Sequence, residues 1–466
     1  MFGYKPNFDM VASKRFGNRF ARELGNRLVI GKEPACILVM GDSTGNETTE
    51  WFYKTMEWLA NKYPAYTFLH HLWNDTNQSY NTPTVLQTGS AGTAYITFGG
   101  VTSGLSIPDA AGLRVTGDLD VRVKVALNDW VPGAGDLVLA SKFDGAPNRG
   151  WCFSIKGSTG KVYLWWSANG TDLIGGSGTY AESSVSPTVA DGAELWLRAT
   201  LDVDNGASGH DVKFYTSTDG ITWTQLGTTG AGVGTTSIYA STDELNFGCR
   251  TTHTVGFWAG KFYYGEVRNG INGAIIASPN PINAFPVGIT TFKDVQGNTI
   301  TVRGDATPAN GSPGIFLLNA STPGAVITYS TDATRFAKQA AHEPQLSFIS
   351  YGHNETSATG YQATYEGLCT QLLTKWANIG VVGVTQNPQK TPRTTTQINT
   401  HAQINRQIAQ AMAKNNYGLV DAYRAFMDTG NPNSYINDAD GVHPTVSGSQ
   451  QLWANEAIKF LQAAVA

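Results

Sequence analysis

The apolar run Cys36-Ile37-Leu38-Val39-Met40 ends abruptly at Gly41-Asp42-Ser43. A short run of this kind, bounded by turn residues, fits a strand covered on both faces, as in a parallel sheet. The spacing then turns helical over Thr48–Lys62, with Trp51, Met56 and Leu59 on one side, and returns to a strand over Thr67–Trp73. From residue 94 to residue 309 helical spacing gives way to short alternating segments: Val121–Leu127, Leu137–Lys142, Trp151–Ile155, Val162–Trp166, Leu195–Leu201, Val212–Thr216, Leu245–Phe247 and Lys261–Arg268. Clusters of Gly, Asp, Asn and Ser separate them, which predicts an antiparallel sandwich.

After Pro313 the alternation of strand and helix resumes. Gly314–Asn319, Gln345–Tyr351, Val381–Thr385 and Val420–Tyr423 read as strands, and Tyr361–Asn378, Thr395–Asn415 and Val446–Ala463 as helices. The predicted fold class is therefore α/β, a doubly wound parallel sheet in three layers, interrupted by an all-β sandwich. The expected division is an N-terminal segment 1–30, one α/β domain in two parts (31–93 and 310–466), and the insert 94–309. Such an insertion costs little loop-closure entropy where the insert's ends lie close together.

Candidate chemistry sits at the two ends of the chain. Ser43 falls where a strand gives way to a helix, and Asp440-Gly441-Val442-His443-Pro444 offers a carboxylate and an imidazole on one turn. A serine hydroxyl needs a base to take its proton, and the base needs an orienting partner. Either motif alone is as readily a plain surface turn. Two further blocks lie between them, Asn319-Ala320-Ser321-Thr322-Pro323-Gly324 and Tyr351-Gly352-His353-Asn354-Glu355. Each of the four blocks follows a predicted strand, at the edge where open α/β sheets hold their sites.

In this order the four blocks resemble those of the SGNH (GDSL) hydrolase superfamily. The resemblance implies a flavodoxin-like serine esterase in which Ser43 is the nucleophile, His443 the base and Asp440 its orienter. It also implies an oxyanion hole built from the N–H groups of Ser43 and Gly324 and the amide of Asn354. Glu355 departs from the family's aspartate, and Thr44-Gly45 replaces a larger apolar residue after the serine. His353, Glu355 and Asn387 are candidates for substrate contact; His70-His71 fit packing or a solvent-facing position better. This chemistry calls for no cofactor and no metal. The insert resembles a laminin-G or concanavalin A-like jelly roll, through Tyr95–Gly100 with Leu105–Pro108, through Asp211–Tyr215 with Asp219–Trp223, and through Lys261–Arg268. That likeness implies a glycan- or protein-binding module, or a bare spacer, and some such domains hold calcium. Trp165-Trp166 and Trp223 could stack on sugars or pack a core.

Composition narrows the setting. Over 466 residues, 41% are hydrophobic and only 15% charged, with 52 Gly, 12 Trp and 19 Tyr, which favours an extracellular or carbohydrate-facing protein. A net charge of −4 offers phosphate no basic face, so nucleic acid is not an expected partner. No apolar run reaches a membrane span. The stretch 1–30 is basic and lacks the apolar core of a secretory signal. Cys36 and Cys369 sit in apolar patterns, whereas Cys152 and Cys249 both lie in the β-rich middle and could pair. A hydrolase fit for work outside a cell, without an export signal, resembles bacteriophage tail-associated esterases. The expected location is then a virion or the extracellular space, with an acylated envelope polysaccharide as substrate and other tail proteins docked at the N-terminus. A glycan-binding insert would raise the local substrate concentration. The competing expectations are a receptor-binding tail protein with vestigial hydrolase activity, and a lipase or thioesterase.

Overall fold

The computed structural model of the chain describes residues 21–172, 180–250, 255–308 and 311–464. It divides into two compact units, one made of Met1–Ser90 with Gly314–Ala466 and the other of Ala91–Pro313.

The first unit is built on six parallel strands: β1 (Ala35–Gly41), β2 (Thr67–Asn74), β3 (Gly314–Ser321), β4 (Leu346–Ser350), β5 (Gly380–Thr385) and β6 (Gly418–Asp421). Their order across the sheet is β6-β5-β4-β1-β3-β2, and the short strands Ser79–Tyr80 and Thr84–Gln87 pair antiparallel with β2. A flavodoxin-like order would set β2 beside β1; here β3 lies between them. β3 (Gly-Ile-Phe-Leu-Leu-Asn-Ala-Ser) is buried at every position and suits the sheet centre, whereas β2 carries His70, His71 and Asn74 and lies farther out.

The helices follow from the same pattern of burial. Trp51, Phe52, Met56 and Leu59 cover one sheet face from the helix Trp51–Lys62, joined by Leu24 and Leu28 of the helix Arg22–Ile30 and by Ala457 and Leu461 of the helix Asn455–Ala464. Trp51 and Trp453 stack there with ring planes 1° apart and centroids 5.7 Å apart. On the opposite face Gly383 leaves room for Met412 and Tyr365, from the helices Thr395–Asn415 and Tyr361–Lys375. A Leu317→Ala variant, emptying a fully buried position of this core, should lose about 2–5 kcal/mol of stability, read as a lowered urea midpoint.

Several expected boundaries move. The first long helix begins at Trp51 rather than Thr48, because Glu50 is extended at its N-cap. The last begins with a π-helical stretch, Gly448–Ala454. Of the segment 1–30, residues 1–20 lie outside the described residues, while Arg22–Ile30 belongs to the α/β core through Leu24 and Leu28. Among the described residues no helix is long and apolar enough to cross a membrane.

The second unit is all-β. Among the described residues two antiparallel sheets, of eight and nine strands, share one core that includes Val121, Val123, Leu139, Phe153, Leu164, Leu197 and Phe262. Its ends meet: Ser312 N–H donates to the Gly92 carbonyl (3.0 Å) and Ala91 N–H to Ser312 Oγ (3.1 Å). Trp165 and Trp166 are buried, so they pack rather than face a ligand, and Trp223 is half-buried. Cys152 and Cys249 form no disulfide. All four cysteines are free and buried, and burial pushes the thiols of Cys152 and Cys249 up.

Candidate active site

Gly41, Ser321 and Ser350 lie level at the C-terminal ends of β1, β3 and β4. The chain passes Gly41 so closely that an added Cβ would sit 2.9 Å from the Ser350 carbonyl and 3.1 Å from Ser321 Oγ, which is why glycine precedes the turn. Asp42 is fully buried and holds the turn from within. Its carboxylate accepts from Thr44 N (3.1 Å), Thr44 Oγ1 (2.8 Å) and Gln386 Nε2 (2.6 Å). Burial pushes this carboxyl up, against those hydrogen bonds.

Ser43 Oγ lies 2.7 Å from His443 Nε2, and His443 Nδ1 lies 2.7 Å from Asp440 Oδ2. The three side chains form one hydrogen-bonded chain although Ser43 and His443 are 400 residues apart in sequence. Asp440 also braces its own turn, its Oδ1 accepting from Val442 N (2.7 Å) and His443 N (3.0 Å). Burial works against ionisation of Asp440, but the Val442 N–H and the His443 ring and N–H outweigh it and hold the carboxyl below its usual range. With Nδ1–H given to Asp440, the Nε2 lone pair of His443 faces Ser43, as a general base requires.

The second block is a type II turn. Pro323 and Gly324 occupy its centre, Gly324 takes φ +76°, and Ala325 N–H closes on the Thr322 carbonyl (3.1 Å). Thr322 N–H in turn donates to the Gly41 carbonyl (2.9 Å), tying this turn to the nucleophile strand. Among the described residues, the backbone N–H groups of Ser43 and Gly324 donate to no protein acceptor, the state expected of oxyanion donors. Asn354 Nδ2 donates to the Ala325 carbonyl (3.0 Å), which uses one of its two amide hydrogens. Glu355 reaches Ile327 N–H (2.6 Å), so the longer acid links the third block to the second, and burial raises its pKa.

Two candidates for substrate contact face inward instead. His353 is 2% exposed and Asn387 0%. His353 Nε2 donates to Asn387 Oδ1 (3.0 Å), and its ring stacks on His401 at 4.5 Å. Burial lowers both imidazoles to about 3, so they are neutral. His70 and His71 are likewise buried, and burial lowers them to about 4 and about 3. Gln386 and Gln389 belong to none of the four blocks, yet both bond to the site's residues. Their signal is the polar run Gln386-Asn387-Pro388-Gln389 directly after the apolar strand β5. Among the described residues no cluster of His, Cys, Asp or Glu is arranged to hold a metal ion.

Chemically the arrangement supports acyl transfer. His443 Nε2 is placed to take the proton of Ser43 Oγ, as attack on an ester carbonyl would require.

Residues 302–451 match the GDSL-like Lipase/Acylhydrolase family, a stretch that contains Gly324, Asn354, Asp440 and His443. No curated protein matches the chain. Among solved structures it is similar to a peptidoglycan O-acetylesterase, at 11% identity over 96% of this chain and 95% of that one, with a TM-score of 0.41. It is also similar to a lipase/acylhydrolase from Enterococcus faecalis, at 16% identity over 32% of this chain and 76% of that one, TM-score 0.28. A catalytic mutant of an acetylxylan esterase from Geobacillus stearothermophilus is similar at 19% identity over 32% and 73%, TM-score 0.28. With residues 302–451 matching a GDSL-like lipase/acylhydrolase domain and the serine, imidazole and carboxylate in contact, the chain is a carboxylic ester hydrolase.

Proposed function

We propose that the chain is a serine esterase that removes O-acetyl or other short acyl groups from cell-surface or cell-wall polysaccharide. The observation that carries this is the Ser43–His443–Asp440 chain lying open to solvent, with the His443 and Asp440 side chains 39% and 40% exposed. An open site suits an ester displayed on a bulky polymer, whereas a long acyl chain needs an enclosed apolar groove. The neighbouring loops carry exposed polar residues, Glu47-Thr48 and Thr356-Ser357, suited to a hydroxyl-rich substrate.

The β unit, in this proposal a laminin-G or concanavalin A-like module, binds glycan or receptor and keeps the esterase at the envelope. Trp223 is its candidate stacking residue. It stands beside Trp196, 6.2 Å between ring centroids, with the guanidinium groups of Arg122 and Arg198 over its ring at 5.5 and 5.6 Å. A phage tail is the setting that fits such a pairing of esterase and envelope binder, with the N-terminal segment docking to other tail proteins.

The test is acetate release from a panel of O-acetylated glycans and bacterial envelopes. Deletion of residues 91–313, whose ends are hydrogen-bonded to each other, should spare turnover of small aryl acetates and weaken envelope binding by at least about tenfold. Unchanged envelope binding would make the β unit a spacer, and a panel without acetate release would discard the polysaccharide deacetylase.

A further inference from the structure

We propose that Asn387 is a positioning residue for ester hydrolysis, one that ties the base-bearing turn to the loop carrying Asn354. The proposal rests on the roles given above to Ser43, His443 and Asn354. Asn387 follows β5 by two residues and is fully buried, so it does not touch substrate. Its Nδ2 donates to the Val442 carbonyl (2.7 Å), between Asp440 and His443, and to the Pro388 carbonyl (3.0 Å). Its Oδ1 accepts from Nε2 of His353 (3.0 Å), the residue before Asn354.

The orientation of this amide is determined by its surroundings. Gln389 Nε2 donates to His353 Nδ1 (3.3 Å), which puts the ring proton on Nε2 and makes the Asn387 atom facing it the oxygen. The other end then carries the hydrogens that the Val442 and Pro388 carbonyls need. His353 is itself held by its stack on His401, whose Nε2 lies 2.8 Å from the Asn387 carbonyl.

The partners of Asn387 decide between core packing and positioning. A residue serving only the core would direct its side chain to strands and helices, but that of Asn387 bonds to two loops of the site, the one bearing His443 and the one bearing Asn354. The same segment also holds the nucleophile turn through Gln386 and Asp42 (2.6 Å), and Lys390 N–H holds the Gly441 carbonyl (2.9 Å). A buried side chain joining these two loops sets the distance from base to oxyanion donor. Errors of about 1 Å in such distances cost about a hundredfold in rate.

The test compares Asn387→Ala and Asn387→Asp with the parent on an aryl acetate. Turnover is counted per active site, the sites being titrated to completion with a fluorophosphonate. In both variants kcat per titrated site should fall about tenfold to a hundredfold while KM stays within about threefold. Asn387→Asp preserves volume and the acceptor for His353 but sets a carboxylate against the Val442 carbonyl, so it should lose at least as much as Asn387→Ala. In an Asn354→Ala background the further loss from Asn387→Ala should shrink to less than about threefold, because the distance Asn387 sets then has no oxyanion donor at its far end. A purely structural role would lower the number of titratable sites and leave kcat per site within about twofold of the parent. That result in either variant overturns the proposal. Activity surviving in Ser43→Ala would instead overturn the assignment of the site itself, so the two failures are distinguishable.

Discussion

Ser43→Ala should abolish ester hydrolysis, with kcat on aryl acetates falling about 10⁶-fold, the scale seen when a triad nucleophile is removed. The variant loses the one atom placed to attack, Oγ at 2.7 Å from His443 Nε2, and no other hydroxyl holds that position among the described contacts of His443. The fold should be spared. The turn is shaped by Asp42 through Thr44 and Gln386 and by the close passage of Gly41, and none of these involves Ser43 Oγ. Ser43 is only half-buried, so stability should stay within about 0.5 kcal/mol of the parent. Steady-state kinetics beside a thermal melt check both halves. Turnover within about a hundredfold of the parent, in a preparation free of contaminating esterase, would end the serine mechanism.

The site was more legible in the sequence than the architecture around it. Gly41-Asp42-Ser43 and Asp440–His443 need particular residue types at particular spacings, because the chemistry tolerates few substitutes. The residues found in contact are the ones those motifs name. The helix Thr395–Asn415 is legible to the residue, since both ends are written locally. Thr394 and Gln397 form a capping box, and Asn416 takes the left-handed conformation, φ 56°, that ends the helix. The helices Ile327–Thr331 and Ala333–Gln339 are too short to establish a period, and Asp332 interrupts them. The place of Arg22–Ile30 in the core is masked by its charges, which flank the buried pair Leu24 and Leu28 and suggest a docking segment instead. Strand order was out of reach for another reason. That β3 lies between β1 and β2 is a matter of pairing across more than two hundred residues, which local pattern does not encode. Asn387 shows the same limit at the level of one side chain: its place after a strand was readable, its inward orientation was not.

Asp440→Asn should lower kcat about 10³–10⁴-fold, and the size of the loss separates two accounts of what the carboxylate does. As an ion pair it could contribute little. Both side chains are about 40% exposed, and exposed pairs are worth about 1 kcal/mol or less, roughly fivefold in rate. As a holder of the tautomer it contributes far more. Oδ1 of Asp440 must remain an acceptor, because Val442 N–H and His443 N–H both point at it. Asparagine can meet that demand only with its oxygen, which turns its NH₂ toward His443 Nδ1. The ring proton then moves to Nε2, where it meets Ser43 Oγ as a donor, and no lone pair is left to take the serine proton. In the parent Asp440 keeps its charge across neutral and mildly acidic pH, since its carboxyl is held below the usual range. Rates of Asp440→Asn and the parent measured across neutral and mildly acidic pH decide the matter. A loss of about fivefold would leave only the charge, and a loss of a thousandfold or more assigns Asp440 to the tautomer.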